Sequence, residues 1–353
     1  MKETVTRIKT GINNNKIPMV CTLLVVAGMI FFSEVLGEKE IIFPEVTALA
    51  IGTFLAPKLS WNTSFRRMFL LICICAISGV AIVLYLPVPM WAQFTIAYVF
   101  SQIVLLCSKT TFAPMISAIM LPVMLQTESM VYIGAAFLLT MTMIVLRLLL
   151  EKAGVKEKST YIPEKIELKK DIPLIVVRSM VVCALSVVVF CLGADLRFMI
   201  APPLLVFFTE ITKRSGAKTK ERENFSIEGK NGTTQKGVLS VEDKKQMNQQ
   251  MMTRLKKGIP FITLCALTGV ICRYVFTVLL GLPLTISAVI AILFMILYLY
   301  AFDAFMPPAG AMTILAMLIP ETMMLYYPMQ VFLGVFVLSM AGVVIKGKVS
   351  VCG

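Results

Sequence analysis

Phe305-Met306-Pro307-Pro308-Ala309-Gly310-Ala311 opens an apolar stretch of the chain. Proline in the first turn of a helix sacrifices no hydrogen bond, because that N–H is unpaired anyway, and the small residues after it leave the next N–H groups uncovered. A helix start of this kind carries about half a positive charge and suits an anion. Pro114, 193 residues before Pro307, stands at the end of Lys109-Thr110-Thr111-Phe112-Ala113-Pro114, which adds an ammonium and two hydroxyls at the matching place. The chemistry these residues favour is the holding of a small anion by Lys109, Thr110, Thr111, Pro114, Pro307, Pro308, Ala309, Gly310 and Ala311. The competing reading of the same small residues is close packing between membrane helices.

Glu128 and Glu321 each follow the repeated proline by fourteen residues, about 21 Å along a helix. They read either as anchors at the outer boundary or as coupling or gating groups. Asp303 aligns with Thr110; it either weakens an anion site in the second half or pairs with Lys109. Arg273 lies deep in an apolar run and requires a carboxylate, carbonyls or water, whereas Arg178 is placed to snorkel. Glu45 and Glu210 are also expected in or near the hydrocarbon.

Soluble-enzyme chemistry is not expected from the composition. The chain has no histidine, the commonest general base and transition-metal ligand. It has no Gly-x-Ser-x-Gly, no phosphate loop and no metal spacing, so neither catalysis nor a cofactor is expected. Of nine cysteines, eight lie in apolar runs and Cys352 in the tail; they read as free thiols that behave as small hydrophobes.

The elements that must position these residues are membrane helices. In 353 residues, 58% are hydrophobic and 15% charged, with mean hydropathy +0.87, far from soluble composition. Long apolar runs without strand alternation leave helices as the spanning structure. The segments are 17–36, 41–57, 68–87, 91–107, 111–127, 130–149, 172–193, 198–211, 259–280, 283–301, 304–320 and 328–345, twelve in all. Of these, 111–127, 198–211 and 304–320 are short for a 30 Å core and are expected as half-helices or tilted elements. The first segment reads as an uncleaved helix, not a signal peptide. With the N-terminus inside, 29 of 33 Lys and Arg residues fall on the cytoplasmic side, so the net charge of +13 speaks to orientation and a lipid partner, not to nucleic acid.

Residues 112–130 align without gaps on 305–323 with seven identities in nineteen, among them Phe112/Phe305, Pro114/Pro307 and Glu128/Glu321. Residues 66–81 align on 256–271 through Cys75/Cys265 and Gly79/Gly269. The expected fold is all-α and polytopic, about twelve transmembrane helices as two parallel six-helix repeats. The divisions are a cytoplasmic tail 1–16, a first repeat 17–149, a connector 150–171, a second repeat 172–345 holding a mobile loop 212–257, and a tail 346–353. A short amphipathic helix is expected near 240–256. An even helix count per copy relates the copies by an axis along the membrane normal.

The Pro-Pro-Ala-Gly-Ala run with the following Met-Thr-Ile-Leu-Ala-Met-Leu-Ile-Pro resembles the HPP family of integral membrane proteins, with Met306 where that family has histidine. Ile200-Ala201-Pro202-Pro203 through Glu210 resembles the segment ahead of the family's basic loop. The resemblance implies transport of a nitrite-like anion. The six-helix layout is also similar in outline to the fusaric-acid-resistance and aromatic-acid-exporter superfamily, which implies efflux of larger organic anions. The expected function is an inner-membrane transporter or channel for a small anionic solute; a membrane scaffold that moves nothing is the rival of another class, and a homo-oligomer stays open.

Overall fold

The computed structural model describes residues 2–164, 166–213 and 241–351, and these form an all-α protein without strands among the described residues. Among the described residues, eight helices are long and apolar enough to cross a membrane: Lys16–Leu36, Phe65–Tyr85, Met90–Cys107, Met130–Lys152, Asp171–Leu192, Leu255–Leu279, Leu284–Phe302 and Tyr327–Ile345. Large apolar side chains cover their outer faces, as at Leu138, Met180 and Leu192, the exposure that lipid rewards and water penalises.

In chain order the elements are α1 (Lys2–Asn14), α2 (Lys16–Leu36), α3 (Glu45–Ala50, continued as a wider turn over Ile51–Leu55), α4 (Phe65–Tyr85), α5 (Met90–Cys107), α6 (Pro114–Leu125), α7 (Met130–Lys152), α8 (Leu168–Leu192), α9 (Pro202–Ile211), α10 (Val241–Cys272, continued over Arg273–Leu279), α11 (Leu284–Phe302), α12 (Pro307–Leu315) and α13 (Tyr327–Val351). Eight of the twelve expected segments are long helices, and α3, α6, α9 and α12 are short. Segment 41–57 differs from a full span. Pro44 starts its helix and Ala56-Pro57 leaves it, so α3 is a half-length element like the other three.

The ends also differ from expectation. The N-terminal tail is a helix: Ile8 and Ile12, four residues apart, share one face and pack toward the core, while Gly11 lies against the Tyr300 ring. The C-terminal tail continues α13 to Val351. Of the expected loop 212–257, residues 214–240 lie outside the described residues, and 241–257 is the first part of α10, not a separate short helix.

Local chemistry sets the boundaries. Gly37 adopts φ 70° after α2 and donates to the Glu34 carbonyl, a left-handed stop that glycine makes without a Cβ clash. The Ser129 hydroxyl accepts from the Val131 amide at 3.1 Å and starts α7. Gly79 of α4 sits against the Ile119 carbonyl of α6, and Gly269 of α10 against the Thr313 carbonyl of α12; in both places a methyl group would overlap backbone. The same pairing recurs in the aromatics. Tyr132 of α7 stands edge-on to Phe43 and donates to the Ala118 carbonyl at 2.9 Å, while Tyr327 of α13 stands edge-on to Phe198 and donates to the Met312 carbonyl at 2.8 Å.

Candidate functional site: a cavity at the starts of four short helices

The short helices form the interior of the protein. Every residue of α6 from Pro114 to Met124 and every residue of α12 is buried, as is all of α3 with its extension. α3 packs on α12, α6 on α9, and α9 on α12.

Their first turns meet around one small cavity of about 10 Å³, close to the least that admits a water molecule. Its wall is Glu45 and Ala48 of α3, Pro114 and Ser117 of α6, Pro203 and Val206 of α9, and Pro307, Pro308 and Ala311 of α12. Each helix thus contributes residues three apart, one face of its first turn. The positive ends of α6, α9 and α12 point at one place. Three-residue turns already use one amide at each of these starts, since Ile116 donates to Ala113, Leu204 to Ala201 and Ala309 to Met306. The summed peptide dipoles, more than a nest of bare N–H groups, give the cavity its character.

The lining is apolar but for Glu45 and Ser117. Glu45 is 1% exposed, and neither its carboxyl oxygens nor the neighbouring Ser117 hydroxyl makes a hydrogen bond of ordinary geometry among the described residues. A carboxylate at a helix start elsewhere in the molecule is fully engaged. Glu34 accepts from the Leu284 and Thr285 amides and from the Thr285 hydroxyl at the start of α11.

The far ends of the short helices are each capped by an arginine. Arg147 of α7 donates to the Thr53 carbonyl of α3 and, at 2.8 Å, to the Glu157 carbonyl. Arg178 of α8 donates to the Thr209 carbonyl of α9 at 3.3 Å and to the Thr212 hydroxyl at 2.7 Å. Arg197, in the 3₁₀ turn Ala194–Ile200, donates to the Met124 carbonyl of α6 at 3.4 Å. Arg273 donates to the Ala316 carbonyl after α12 at 2.9 Å and to the Ile319 carbonyl. Cations on the negative ends and a common cavity at the positive ends orient all four dipoles the same way relative to the centre.

The sequence-derived residues divide between these places. Pro114, Pro307, Pro308 and Ala311 line the cavity; Ala309 and Gly310 are buried but do not. A methyl group on Gly310 would meet Ile51 and Thr47, so this glycine lets α12 approach α3. Lys109 is exposed, with φ 52°, and its carbonyl accepts from the Tyr161 hydroxyl and the Glu164 amide. Thr110 contacts Ser108 at 3.0 Å, and the Thr111 hydroxyl accepts from the Asn62 amide at 2.7 Å; both hydroxyls fasten loops. Asp303 is exposed in the left-handed conformation that ends α11, and no ion pair joins it to Lys109 among the described residues. Glu128 and Glu321 are exposed, away from the cavity. Arg273 serves as a helix cap. Arg147, Arg178, Arg197 and Glu45 are the residues of these places that the sequence reading did not assign to the site. A carboxylate directly after Phe43-Pro44, a helix start, was the clue available.

Comparison with family models, with curated proteins and with solved structures finds no match for this chain.

Proposed function

We propose that the chain is a transporter or channel for a small anion of nitrite size, built as two tandem six-helix copies with cytoplasmic termini and a pathway through the central cavity. One observation carries this reading: the starts of α6, α9 and α12 converge on one buried cavity while their far ends are capped by arginine. Broken helices whose positive ends meet inside a bundle are how a membrane protein holds an anionic group without burying a compensating cation. The small size of the cavity favours a compact ion over an aromatic acid. The tandem reading draws support from the order long, short, long, long, short, long, which occurs twice, and from the paired Tyr132–Ala118 and Tyr327–Met312 bonds. The likeness to the HPP family rests on the Pro-Pro-Ala-Gly-Ala run with the residues that follow it and on the segment from Ile200 to Glu210.

Flux into proteoliposomes from a panel of nitrite, nitrate, chloride and an aromatic acid tests the proposal. Uptake of a small anion that Ala311→Leu abolishes, by filling the cavity, is the expected result. No uptake of any panel member by correctly inserted protein overturns the function, and uptake untouched by Ala311→Leu moves the pathway elsewhere.

A further inference from the structure

Glu45 is a buried acid whose carboxyl oxygens have no hydrogen-bond partner of ordinary geometry among the described residues, with the Ser117 hydroxyl beside it, at the place where the protein concentrates positive potential. Three helix starts at about half a charge each amount to roughly one and a half positive charges. An ionised Glu45 neutralises most of that, and a solute anion arriving beside it would meet a like charge at contact distance. A cavity of about 10 Å³ has no room for both a carboxylate shell and a second hydrated anion. The two negative charges are therefore alternatives for the same site.

We propose that Glu45 is the proton-binding residue of the pathway: its ionised carboxylate occupies the electropositive site when no solute is bound, and protonation of that carboxylate admits the anion. This rests on the small-anion reading above. The proton is taken from water on the side to which the cavity opens and returned to water on the other side. One proton then accompanies each anion, and their joint movement is electroneutral. Glu45 faces Ser117 of α6 across the cavity. Of the ionisable groups, Tyr132 of α7 and Glu45 influence each other electrostatically, and Cys75 of α4 acts on the same tyrosine. The Tyr132 hydroxyl is held by the Ala118 carbonyl. α12 and α6 carry no ionisable side chain, and the charged groups bonded to α3 and α9, Arg147 at Thr53 and Arg178 at Thr209, lie at their far ends, as does Glu210 of α9 beside Trp61. Among the described residues no other acid lines the cavity to take the role.

The test is nitrite uptake by proteoliposomes of the full chain at several external pH values, with and without an inward proton gradient, for the native protein, Glu45→Gln and Glu45→Asp. A one-proton requirement predicts uptake that falls by up to about tenfold per pH unit above the carboxyl's titration range, and accumulation driven by the gradient alone. Glu45→Gln, a fixed stand-in for the protonated acid, is expected to pass nitrite with a flat pH profile and no gradient-driven accumulation. Glu45→Asp is expected to keep both, so coupling remains measurable even where the glutamine variant fails to insert. Native uptake that is indifferent to the gradient, or a glutamine variant with the native pH profile, overturns the role of Glu45 and leaves anion transport standing. Absence of uptake by the native protein for nitrite and every other panel anion overturns both readings.

Discussion

Arg273, in the continuation of α10, and Ala316, just after α12, are 43 positions apart in sequence and joined by a guanidinium-to-carbonyl hydrogen bond of 2.9 Å. The same guanidinium reaches the Ile319 carbonyl, and Glu321 is close enough to act on its charge. An intramembrane arginine is thereby used to finish a helix that stops inside the protein. Hydrogen bonds to a charged group contribute about 1.5–3 kcal/mol where solvent is excluded, and Arg273 is only partly buried. Arg273→Ala is expected to lower the thermal midpoint of detergent-solubilised protein distinctly, with Arg273→Lys intermediate. A thiol-reactive dye reads this directly, because Cys75 and Cys265 are buried in the fold. An unchanged midpoint for the alanine variant would show that the cap contributes nothing.

Gly79 and Gly269 are expected to tolerate no side chain. A Cβ at either would overlap the backbone of the neighbouring short helix, and overpacking of this kind costs about 1–3 kcal/mol. Gly28 and Gly134 have open space at the same test position; there alanine is expected to be neutral or to stabilise by about 0.5–1 kcal/mol in a helix interior. Melting curves of the four alanine variants separate the two classes.

How much of this was legible in the chain depends on where its information lies. Hydropathy located the eight long apolar helices and the four short ones, because an apolar run must be helical in lipid, but not α1, whose sequence is polar. The internal alignment of Pro114 with Pro307 reached two of the four cavity helices. It passed over α3 and α9, which carry no aligned block between them. The arginine caps were hidden for a different reason. Arg147 lies in the last long helix of the first half, Arg178 in the first of the second half, Arg197 in a connection and Arg273 inside α10, so the same task is met from four unmatched positions. Lys109 was attractive by type and spacing, yet its left-handed backbone turns it out to the surface.

Lys156, in the connector after α7, gives a pH dependence. Burial, and secondly the Arg147 charge, lower its pKa from the usual 10.5 to about 8, while its ammonium donates to Asn15 and to the Ala56 carbonyl. The folded protein then releases this proton before the unfolded chain does. Below pH 8 the penalty on the charged form is fully present, and stability from this group rises between about pH 8 and 10.5. The melting midpoint of native protein minus that of Lys156→Met is expected to increase over that interval. A constant difference would remove Lys156 as the source.

Membrane orientation is tested by single cysteines in a cysteine-free background. Position 39, after α2, is expected to react with an impermeant thiol reagent applied to whole cells, and position 158, in the connector, only after lysis. Both native lysines are exposed, so accessibility to water is not the limiting factor. The reverse pattern would invert the assignment drawn from the basic residues.

The arginine caps carry a mechanical consequence. Each short helix is held at its outer end by a guanidinium, and α6 and α12 also at Ala118 and Met312 by tyrosine hydroxyls, so a tilt about the outer end would displace the cavity-lining start most. A helix of ten residues is about 15 Å long, and a tilt of about 10° about that end carries its inner end roughly 2–3 Å, comparable with the radius of a small anion. On the proposed reading, such a tilt would move the cavity wall while the arginine contacts at the outer ends stay in place.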